Sequence, residues 1–267
     1  MDIFNIVVGY SVLGTVIAGL IAGISLNLLW VLPLGFVCSF LLCVLVYVAT
    51  VGIMCLPVSK KREYGSVNSA YKSALDGAYG FIMRVSGVRL HVSGLEKLPE
   101  EEFLLVQNHV SNYDNILTGA ALKHRNLAFV SKPENFKIPI VGRIIARNLY
   151  IPIDREDARN AVKSINRAAE LIRSGVTSVG IYPEGTRSKT GVLGEFRSGS
   201  FKAALKAKCP LVITAIRGTE KIKKNIFRRK TDVYLTVLAV IMPEELMLKR
   251  TTELSDMAHG MIESAPA

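Results

Sequence analysis

The first sixty residues of this 267-residue chain are almost without charge. Between residues 3 and 59 the sequence has no Asp, Glu, Lys, Arg or His, although the whole chain has 33 Lys and Arg and 22 Asp and Glu. An apolar run of this length exceeds the ~20 residues that cross a hydrocarbon core. It is long enough for two passes, and it predicts spans near residues 3–24 and 34–56 with a turn marked by Asn27 and Pro33.

A signal-peptide start is also lacking. Met1 and Asp2 provide no basic segment before the apolar run, and the run is too long for a cleaved leader followed by one anchor. We therefore expect residues 1–62 to form a membrane anchor, a hairpin of two transmembrane helices with Trp30 at the depth of an interfacial aromatic.

Basic residues follow the second span directly, at positions Lys60, Lys61 and Arg62. A positive cluster beside a membrane segment is normally retained on the cytoplasmic side. Residues 63–267 are therefore expected to form a cytoplasmic domain of an integral membrane protein, with the N-terminus on the same side. The compact size and the two-span anchor favour a bacterial inner membrane, with the endoplasmic reticulum as the alternative.

Patterns of metal ligands and disulfides are absent as well. Three cysteines lie in the apolar run and one stands alone, namely Cys38, Cys43, Cys55 and Cys209. This spacing supports neither a metal site nor a disulfide framework. We expect structural thiols and no metal or other cofactor.

The net charge of +11 comes almost entirely from the residues after the apolar run. Such a surface attracts anions, which include nucleic acids, anionic lipid headgroups and phosphorylated substrates. A chain held at a bilayer favours the lipid, because each basic residue near an anionic membrane contributes ~1 kcal/mol. No nucleic acid partner is expected, since the sequence has no recognisable reading motif.

Apolar positions after the anchor alternate between helical and strand spacing. Helices are predicted at residues 64–85, 114–124, 156–174 and 201–208, and in part after Pro133. Strands are predicted at residues 88–92, 103–107, 127–131, 149–153, 178–182, 211–216 and 233–241. This alternation predicts an α/β sandwich around a mixed sheet. The amphipathic helix at 64–85 fits the membrane surface and the domain core equally well.

Polar residues emerge from the predicted strand at 103–107. An imidazole accepts a proton near neutral pH, and a carboxylate such as Asp114 could fix the tautomer of His109. Five positions along one regular helix would hold the two side chains apart, so the pair works only if His109 precedes a helix that Asp114 begins. Taken alone, this spacing is a weak signal.

A second polar turn follows the strand predicted at 178–182. Gly185 permits unusual dihedral angles, Thr186 offers a hydroxyl, and Arg187 offers a planar fork for two phosphate oxygens. Glu184 could orient that fork. Viewed by itself, the segment is equally consistent with an ordinary polar turn.

The two blocks together resemble the glycerolipid acyltransferase family, typified by 1-acyl-sn-glycerol-3-phosphate acyltransferases. The resemblance rests on Asn108, His109 and Asp114 followed by residues 184–187, and it covers roughly residues 85–220. Neither block is decisive alone, but both in this order are specific. The resemblance implies an O-acyltransferase that moves an acyl group from acyl-CoA or acyl carrier protein to the free hydroxyl of lysophosphatidic acid, giving phosphatidic acid.

The resemblance also implies roles for individual residues. His109 would be the general base, Asp114 would orient it, and no acyl-enzyme would form. Backbone amides near the site would hold the oxyanion. Contacts to the acceptor phosphate are carried over to Glu184, Gly185, Thr186 and Arg187, with Arg155 and Lys132 as helpers.

Two further blocks of the family pattern are imperfect. Residues 153–155 fit the end of one block, although Leu149 stands where the family usually has glycine and Pro152 where it often has an aromatic or apolar residue. Residues 210–213 resemble another block, with Ile213 in place of its usual second proline. These blocks are thought to shape the pocket, so the resemblance does not specify which acyl chain and which acceptor fit.

Other interpretations remain. The same His and Asp would serve an acyltransferase for glycerol 3-phosphate or for another lysolipid. A membrane-attached lipid-binding protein of the same fold would need neither side chain. A basic run could contact anionic lipid or form an ordinary solvated face; its members are Lys221, Lys223, Lys224, Arg228, Arg229 and Lys230.

Overall fold

The computed structural model describes residues 3–21, 28–60, 62–154, 157–188, 192–228 and 230–266. Its helices are α1 Ile3–Ile21, α2 Leu28–Cys55, α3 Ser69–Val85, α4 Asp114–Ala121, α5 Pro133–Lys137, α6 Val141–Arg147, α7 Ala158–Arg173, α8 Lys202–Ala207, α9 Ile222–Asn225, α10 Pro243–Leu246 and α11 Thr251–Glu263. Its strands are β1 Val88–Ser93, β2 Leu104–Gln107, β3 Leu127–Ser131, β4 Ile151–Pro152, β5 Ser178–Ile181, β6 Leu211–Arg217 and β7 Thr231–Ile241. Asn27, Lys61, Arg155 and Arg229 lie outside the described residues.

One mixed sheet forms the centre of the domain. Its strand order is β1-β7-β6-β2-β5-β3-β4. The five strands from β6 to β4 are parallel, whereas β7 pairs antiparallel with β6 and parallel with β1. The predicted α/β fold with a mixed sheet is confirmed. The carboxyl ends of β2, β5 and β6 therefore meet at one edge of the sheet.

Helices cover both faces of the sheet, because successive side chains of a strand point to opposite sides. In β2, Leu105 packs with Leu122 after α4, whereas Leu104 and Val106 pack in the layer that contains Ala204 of α8. All three β2 side chains are fully buried. This two-sided burial explains why β2 is apolar until it reaches the polar residues at its end.

The two N-terminal helices pack antiparallel. A Cβ placed on Gly14 would lie 2.8 Å from Oγ of Ser39, and one placed on Gly19 would lie 3.4 Å from Leu32. Both helices are long and apolar enough to cross a membrane, over Ile3–Leu20 and Leu32–Cys55. Most of the second helix is exposed, and only its end, at Val51 and Cys55, is buried against the domain. An exposed apolar surface of this size is typical of a membrane-associated hairpin.

The turn predicted at Pro33 is wrong. Pro33 lies inside α2, which begins at Leu28. A proline near the start of a helix disturbs only the carbonyl one turn earlier, so the helix continues beyond it. Apolar neighbours on both sides then keep α2 helical through the region expected to be a loop.

Helix α3 connects the hairpin to the domain. It begins at Ser69, where the Asn68 side chain accepts hydrogen bonds from the first turn, and not at residue 64 as predicted. Leu75 and Tyr79 are buried in the core, so one face of this amphipathic helix packs on the domain, which decides between the two interpretations left open by the sequence.

The opposite side of α3 runs along α2 toward the tip of the hairpin. Near its start, the Tyr71 hydroxyl donates to the Met54 carbonyl at 2.6 Å. Three turns later, the rings of Phe81 and Phe40 lie 6.5 Å apart. The carboxyl end of α3 therefore lies beside the middle of α2 and the start of α1, where the ring of Phe4 is 6.1 Å from that of Phe81.

The C-terminal helices α10 and α11 were not predicted from the sequence. In α11, Leu254, Ala258 and Ile262 recur every four residues and are fully buried. Arg217 at the end of β6 donates to the Ile262 carbonyl at 2.6 Å, which joins this helix to the sheet.

Candidate active site

The catalytic candidate His109 follows β2 through one buried residue. Asn108 is fully buried, and its side-chain amide pairs with both backbone groups of Ile216 in β6, at 2.9 and 2.8 Å. This double hydrogen bond continues the strand pairing by one residue. It fixes the backbone from which the His109 side chain projects at the carboxyl edge of the sheet.

Asp114 begins α4, and His109 precedes that helix, as a pair at this spacing requires. Nδ1 of His109 lies 2.7 Å from Oδ2 of Asp114, and the same oxygen accepts N–H groups from Val110 and Ser111 at 2.8 Å each. The other oxygen accepts the Thr219 hydroxyl at 2.5 Å. Four donors therefore satisfy a carboxylate that has no exposed surface.

This arrangement selects one tautomer of the imidazole. An ionised carboxylate only accepts hydrogen bonds, so Nδ1 carries the proton and Nε2 keeps its lone pair. A proton taken up at Nε2 would make an imidazolium directly beside the buried Asp114 charge. The pair can therefore act as an oriented general base.

An aromatic stack holds the imidazole plane. The His109 ring lies 4.1 Å from the Tyr182 ring at an angle of 16°, and Tyr182 is in turn 5.8 Å from Phe129 at 8°. Tyr182 is buried, and its hydroxyl has no hydrogen-bond partner within the part of the chain that the structure describes. Burial, with a smaller contribution from Asp114, raises the pKa of this hydroxyl well above its usual value, so it stays protonated.

The second polar turn is bound to the backbone of His109. Oε1 of Glu184 accepts the His109 N–H at 2.6 Å, and Oε2 accepts the Gly194 N–H at 3.0 Å. The Ser188 N–H donates to the His109 carbonyl at 2.9 Å. Burial raises the pKa of Glu184, while the His109 and Gly194 N–H groups oppose this shift.

Gly185 is the residue of this turn that requires glycine. Its φ is +73°, and a Cβ would lie 2.9 Å from Nε of Arg197. An L side chain in this conformation is strained, and the close guanidinium leaves it little room.

A cavity of about 100 Å³ lies between the imidazole and the turn. It is lined by His109, Asn112, Asn115, Phe129, Val130, Ser131, Lys132, Asn135, Tyr182, Thr186 and Arg187. Two of these side chains are cationic and none is acidic. The cavity is therefore suited to an anion that carries several hydrogen-bond acceptors, such as a phosphate monoester.

A larger and mainly apolar cavity of about 420 Å³ adjoins the first. Val130 and Tyr182 line both cavities, so the two meet beside the stacked rings. Ala161, Val162 and Ile165 of α7 form one side of the larger cavity.

The structure brings together most of the predicted site residues. Lys132, Thr186 and Arg187 share the smaller cavity with His109, and Gly185 lines the larger one. Glu184 differs from the prediction that it orients Arg187, because its two oxygens accept backbone N–H groups. Instead, Nη1 of Arg187 donates to Oδ1 of Asn112 at 2.7 Å. Arg155 lies outside the described residues.

Thr219 and Asn112 were missed by the sequence analysis. Thr219 is fully buried just beyond β6, and its position directly after an apolar strand was the available signal. Asn112 lies in the turn between His109 and Asp114, and nothing in the sequence indicated its contact with a residue 75 positions away.

This chain is similar to known acyltransferases. Residues 89–217 match the family model described as Acyltransferase. The chloroplastic 1-acyl-sn-glycerol-3-phosphate acyltransferase LPAT1 of Arabidopsis thaliana is 38% identical over 136 residues, which are 50% of this chain and 37% of that protein. The 1-acyl-sn-glycerol-3-phosphate acyltransferase of Borreliella burgdorferi is 28% identical over 59% of this chain and 63% of its own length.

A solved structure has the same fold. The crystal structure of the 1-acyl-sn-glycerophosphate acyltransferase PlsC from Thermotoga maritima superposes with a TM-score of 0.53 and 24% identity, over 73% of this chain and 84% of that one. The matched region spans less than two thirds of the length of both curated relatives described above.

Proposed function

Because this chain belongs to the glycerolipid acyltransferase family, we propose that it is a 1-acyl-sn-glycerol-3-phosphate acyltransferase. It transfers an acyl group from acyl-CoA or acyl carrier protein to the free hydroxyl of lysophosphatidic acid and releases phosphatidic acid. The observation that carries the proposal is the His109–Asp114 hydrogen bond of 2.7 Å beside a cavity that has two cations and no acid.

The reaction needs no covalent enzyme intermediate. Nε2 of His109 takes the proton of the acceptor hydroxyl while that oxygen attacks the thioester carbon. The tetrahedral oxyanion then collapses, the carbon–sulfur bond breaks, and the leaving thiolate takes the proton from His109. Asp114 stabilises the imidazolium in between, and general base catalysis of this kind contributes about 10²–10⁴-fold.

The acceptor phosphate binds in the smaller cavity. Arg187 offers two parallel N–H groups, Thr186 a hydroxyl and Lys132 an ammonium, and Arg155 is the further helper implied by the family pattern. Asn112 restrains the Arg187 guanidinium before the substrate arrives. Binding of the phosphate in this cavity is supported by the absence of acidic side chains among the described residues that line it.

The acyl chain of the donor occupies the larger apolar cavity. Because the two cavities meet at Tyr182, a thioester at the mouth of the larger one would lie close to the His109 ring that stacks on Tyr182. This arrangement brings the donor carbonyl and the acceptor hydroxyl to the same imidazole.

Helices α1 and α2 anchor the enzyme in its lipid phase. The basic residues after α2 favour a cytoplasmic domain, and a bacterial inner membrane is the proposed location. A lysolipid can then keep its tail in the bilayer while its phosphate enters the cavity.

The test is a transfer assay on the purified full chain in lipid nanodiscs. Lysophosphatidic acid, glycerol 3-phosphate and a lyso-aminolipid are offered with labelled acyl-CoA or acyl carrier protein. We expect transfer to lysophosphatidic acid to exceed the others and to be lost in His109→Ala. Preference for glycerol 3-phosphate would assign the alternative acceptor, and equal transfer by His109→Ala and the parent would leave a lipid-binding protein as the better interpretation.

A further inference from the structure

The loop between β6 and β7 has basic residues and one exposed aromatic ring. Positions 221–230 include six Lys and Arg, and Phe227 is 97% exposed. Basic residues combined with a highly exposed aromatic ring are typical of a segment that binds the membrane interface. A charged face that contacts only water does not need such a ring.

The inner side of this loop is fixed to the domain. Ile222 is fully buried and packs with Leu117 of α4, and Met83 of α3 packs against the same cluster. Thr219, at the start of the loop, donates to the buried Asp114. Lys221, Lys223, Lys224, Arg228 and Lys230 are exposed, so the charges and Phe227 lie on the outer side.

The loop adjoins the part of the domain that packs on the hairpin. The Thr231 N–H donates to the Gly87 carbonyl at 3.2 Å, which joins the end of the loop to the residues after α3. Within the last turn of α3, Arg84 donates to Asn5 of α1 at 2.7 Å. Because the carboxyl end of α3 packs on both hairpin helices, the adjoining loop lies close to the membrane-associated part of the protein.

The acidic neighbours do not cancel this charge. Asp232 lies 3.0 Å from His91 and 3.5 Å from Arg89 of β1 and also interacts with Lys230, so its single charge offsets only part of the run. Glu220 is the other acidic residue adjacent to the run in sequence, and it is a single charge.

We propose that residues 221–228 and Lys230 form a second membrane contact, in which the basic side chains bind the headgroups of anionic lipids and Phe227 enters the interfacial region of the bilayer. The bilayer is favoured over nucleic acid because the loop is joined through α3 to the membrane hairpin. The contact also connects the membrane surface to Asp114 through Thr219, two residues before the basic run begins.

The test measures the environment of an indole at position 227. Trp30 is the single tryptophan of the chain, so Phe227→Trp is introduced in a Trp30→Phe background. Its matched control is Leu248→Trp, since Leu248 is 85% exposed and also precedes basic residues. The two positions lie at opposite ends of β7, which is 11 residues long and spans roughly 35 Å.

Each full-length variant is placed in nanodiscs of phosphatidylcholine with or without phosphatidylglycerol, with bromine on the acyl chains. We expect Phe227→Trp to lose most of its fluorescence to bromine and to be shielded from aqueous acrylamide when phosphatidylglycerol is present. Leu248→Trp should stay unquenched by bromine and open to acrylamide.

Charge is tested separately in the Phe227→Trp protein. Replacing Lys223, Lys224 and Arg228 with Gln should reduce quenching in phosphatidylglycerol to the level in phosphatidylcholine alone. The matched replacement of Arg159, Lys163 and Arg173, which are exposed on α7, should leave it unchanged.

Quenching no greater at position 227 than at 248, or a response to added RNA in place of lipid, would overturn the membrane contact. None of these measurements uses acyl transfer, so their outcome is separate from that of the proposed reaction.

Discussion

The hydroxyl of Thr219 lies 2.5 Å from Oδ1 of Asp114, the carboxylate oxygen that His109 does not use. The two residues are 105 positions apart in sequence and meet because β2 and β6 are neighbours in the sheet. The orientation of the His109–Asp114 pair therefore depends on the residues that follow β6.

Thr219→Val tests this dependence with little change of shape. It removes one charge-assisted hydrogen bond from a buried carboxylate, and we expect it to reduce the free energy of unfolding by about 1–3 kcal/mol. If Thr219 also orients the pair during the reaction, kcat should fall by about tenfold. Thr219→Ser keeps the hydroxyl and should retain most of the activity, so equal losses in both variants would contradict the role of the hydrogen bond.

His109→Ala and Asp114→Asn test the base itself. Loss of the imidazole should reduce kcat by about 10²–10⁴-fold. In Asp114→Asn, one of the two carboxylate oxygens becomes an N–H₂ group that faces hydrogen-bond donors, and the remaining amide oxygen is a weaker acceptor. We therefore expect a reduction of kcat of similar size. His124 is an exposed histidine, and His124→Ala should behave as the parent in the same assay.

Arg187→Lys tests phosphate recognition because it keeps the charge and removes the planar fork. We expect KM for lysophosphatidic acid to rise by about tenfold. Transfer to monoacylglycerol, which has no phosphate, should be unchanged by the same substitution. A rise of KM for both acceptors would point to a general distortion of the turn. The matched control is Arg173→Lys, since Arg173 is exposed on α7.

Glu184→Gln tests the bond between the turn and His109. Glutamine can accept only one of the two N–H groups that Glu184 accepts, and its own N–H₂ then faces the other donor. We expect the free energy of unfolding to fall by about 1–3 kcal/mol. Glu195→Gln removes the same charge from an exposed neighbour and should have no measurable effect.

The pH dependence of this loss has a defined sign. Because the pKa of Glu184 is raised in the folded protein, the folded state binds this proton more tightly than the unfolded state. Its contribution to stability is therefore fully present below the unfolded pKa. It is lost as the pH rises from the unfolded pKa through the folded pKa. Glu184→Gln removes this contribution. The difference between the thermal midpoints of parent and variant should therefore shrink as the pH rises through that interval, and above it only the difference due to the lost hydrogen bond should be left.

The sequence predicted the elements better than it predicted their contacts. Apart from the short α9, the order of strands and helices up to β7 followed from the sequence, because β2, β5 and β6 are buried on both faces and read as apolar runs. Pro33 was misjudged because its effect depends on its position within a helix. Helix α11 was missed although Leu254, Ala258 and Ile262 have helical spacing.

The site was predicted in its parts and not in its connections. The position of His109 before a helix begun by Asp114 required only local reasoning. The Glu184 contact with the His109 backbone and the Thr219 contact with Asp114 depend on which strands are adjacent, and strand order is not encoded in local periodicity. The stacking of Tyr182 on His109 also depends on which strands are adjacent, so it could not be inferred from the sequence.

Tyr182 allows the stack and the hydroxyl to be separated. Its hydroxyl is buried without a hydrogen-bond partner among the described residues, and such a group costs about 1–3 kcal/mol. Tyr182→Phe removes this cost and keeps the ring against His109, so we expect a higher thermal midpoint and an unchanged kcat. Tyr182→Leu removes the stack and should lower kcat, since the imidazole plane is then held only through Nδ1.

Tyr79→Phe is the matched control for the hydroxyl. The Tyr79 hydroxyl lies 2.5 Å from that of Tyr150, and both are buried. Removing it leaves a partner unsatisfied, so this variant should lower the thermal midpoint while Tyr182→Phe raises it. If both variants lowered the midpoint, the Tyr182 hydroxyl would have a hydrogen-bond partner, and that partner would explain its position beneath the His109 imidazole.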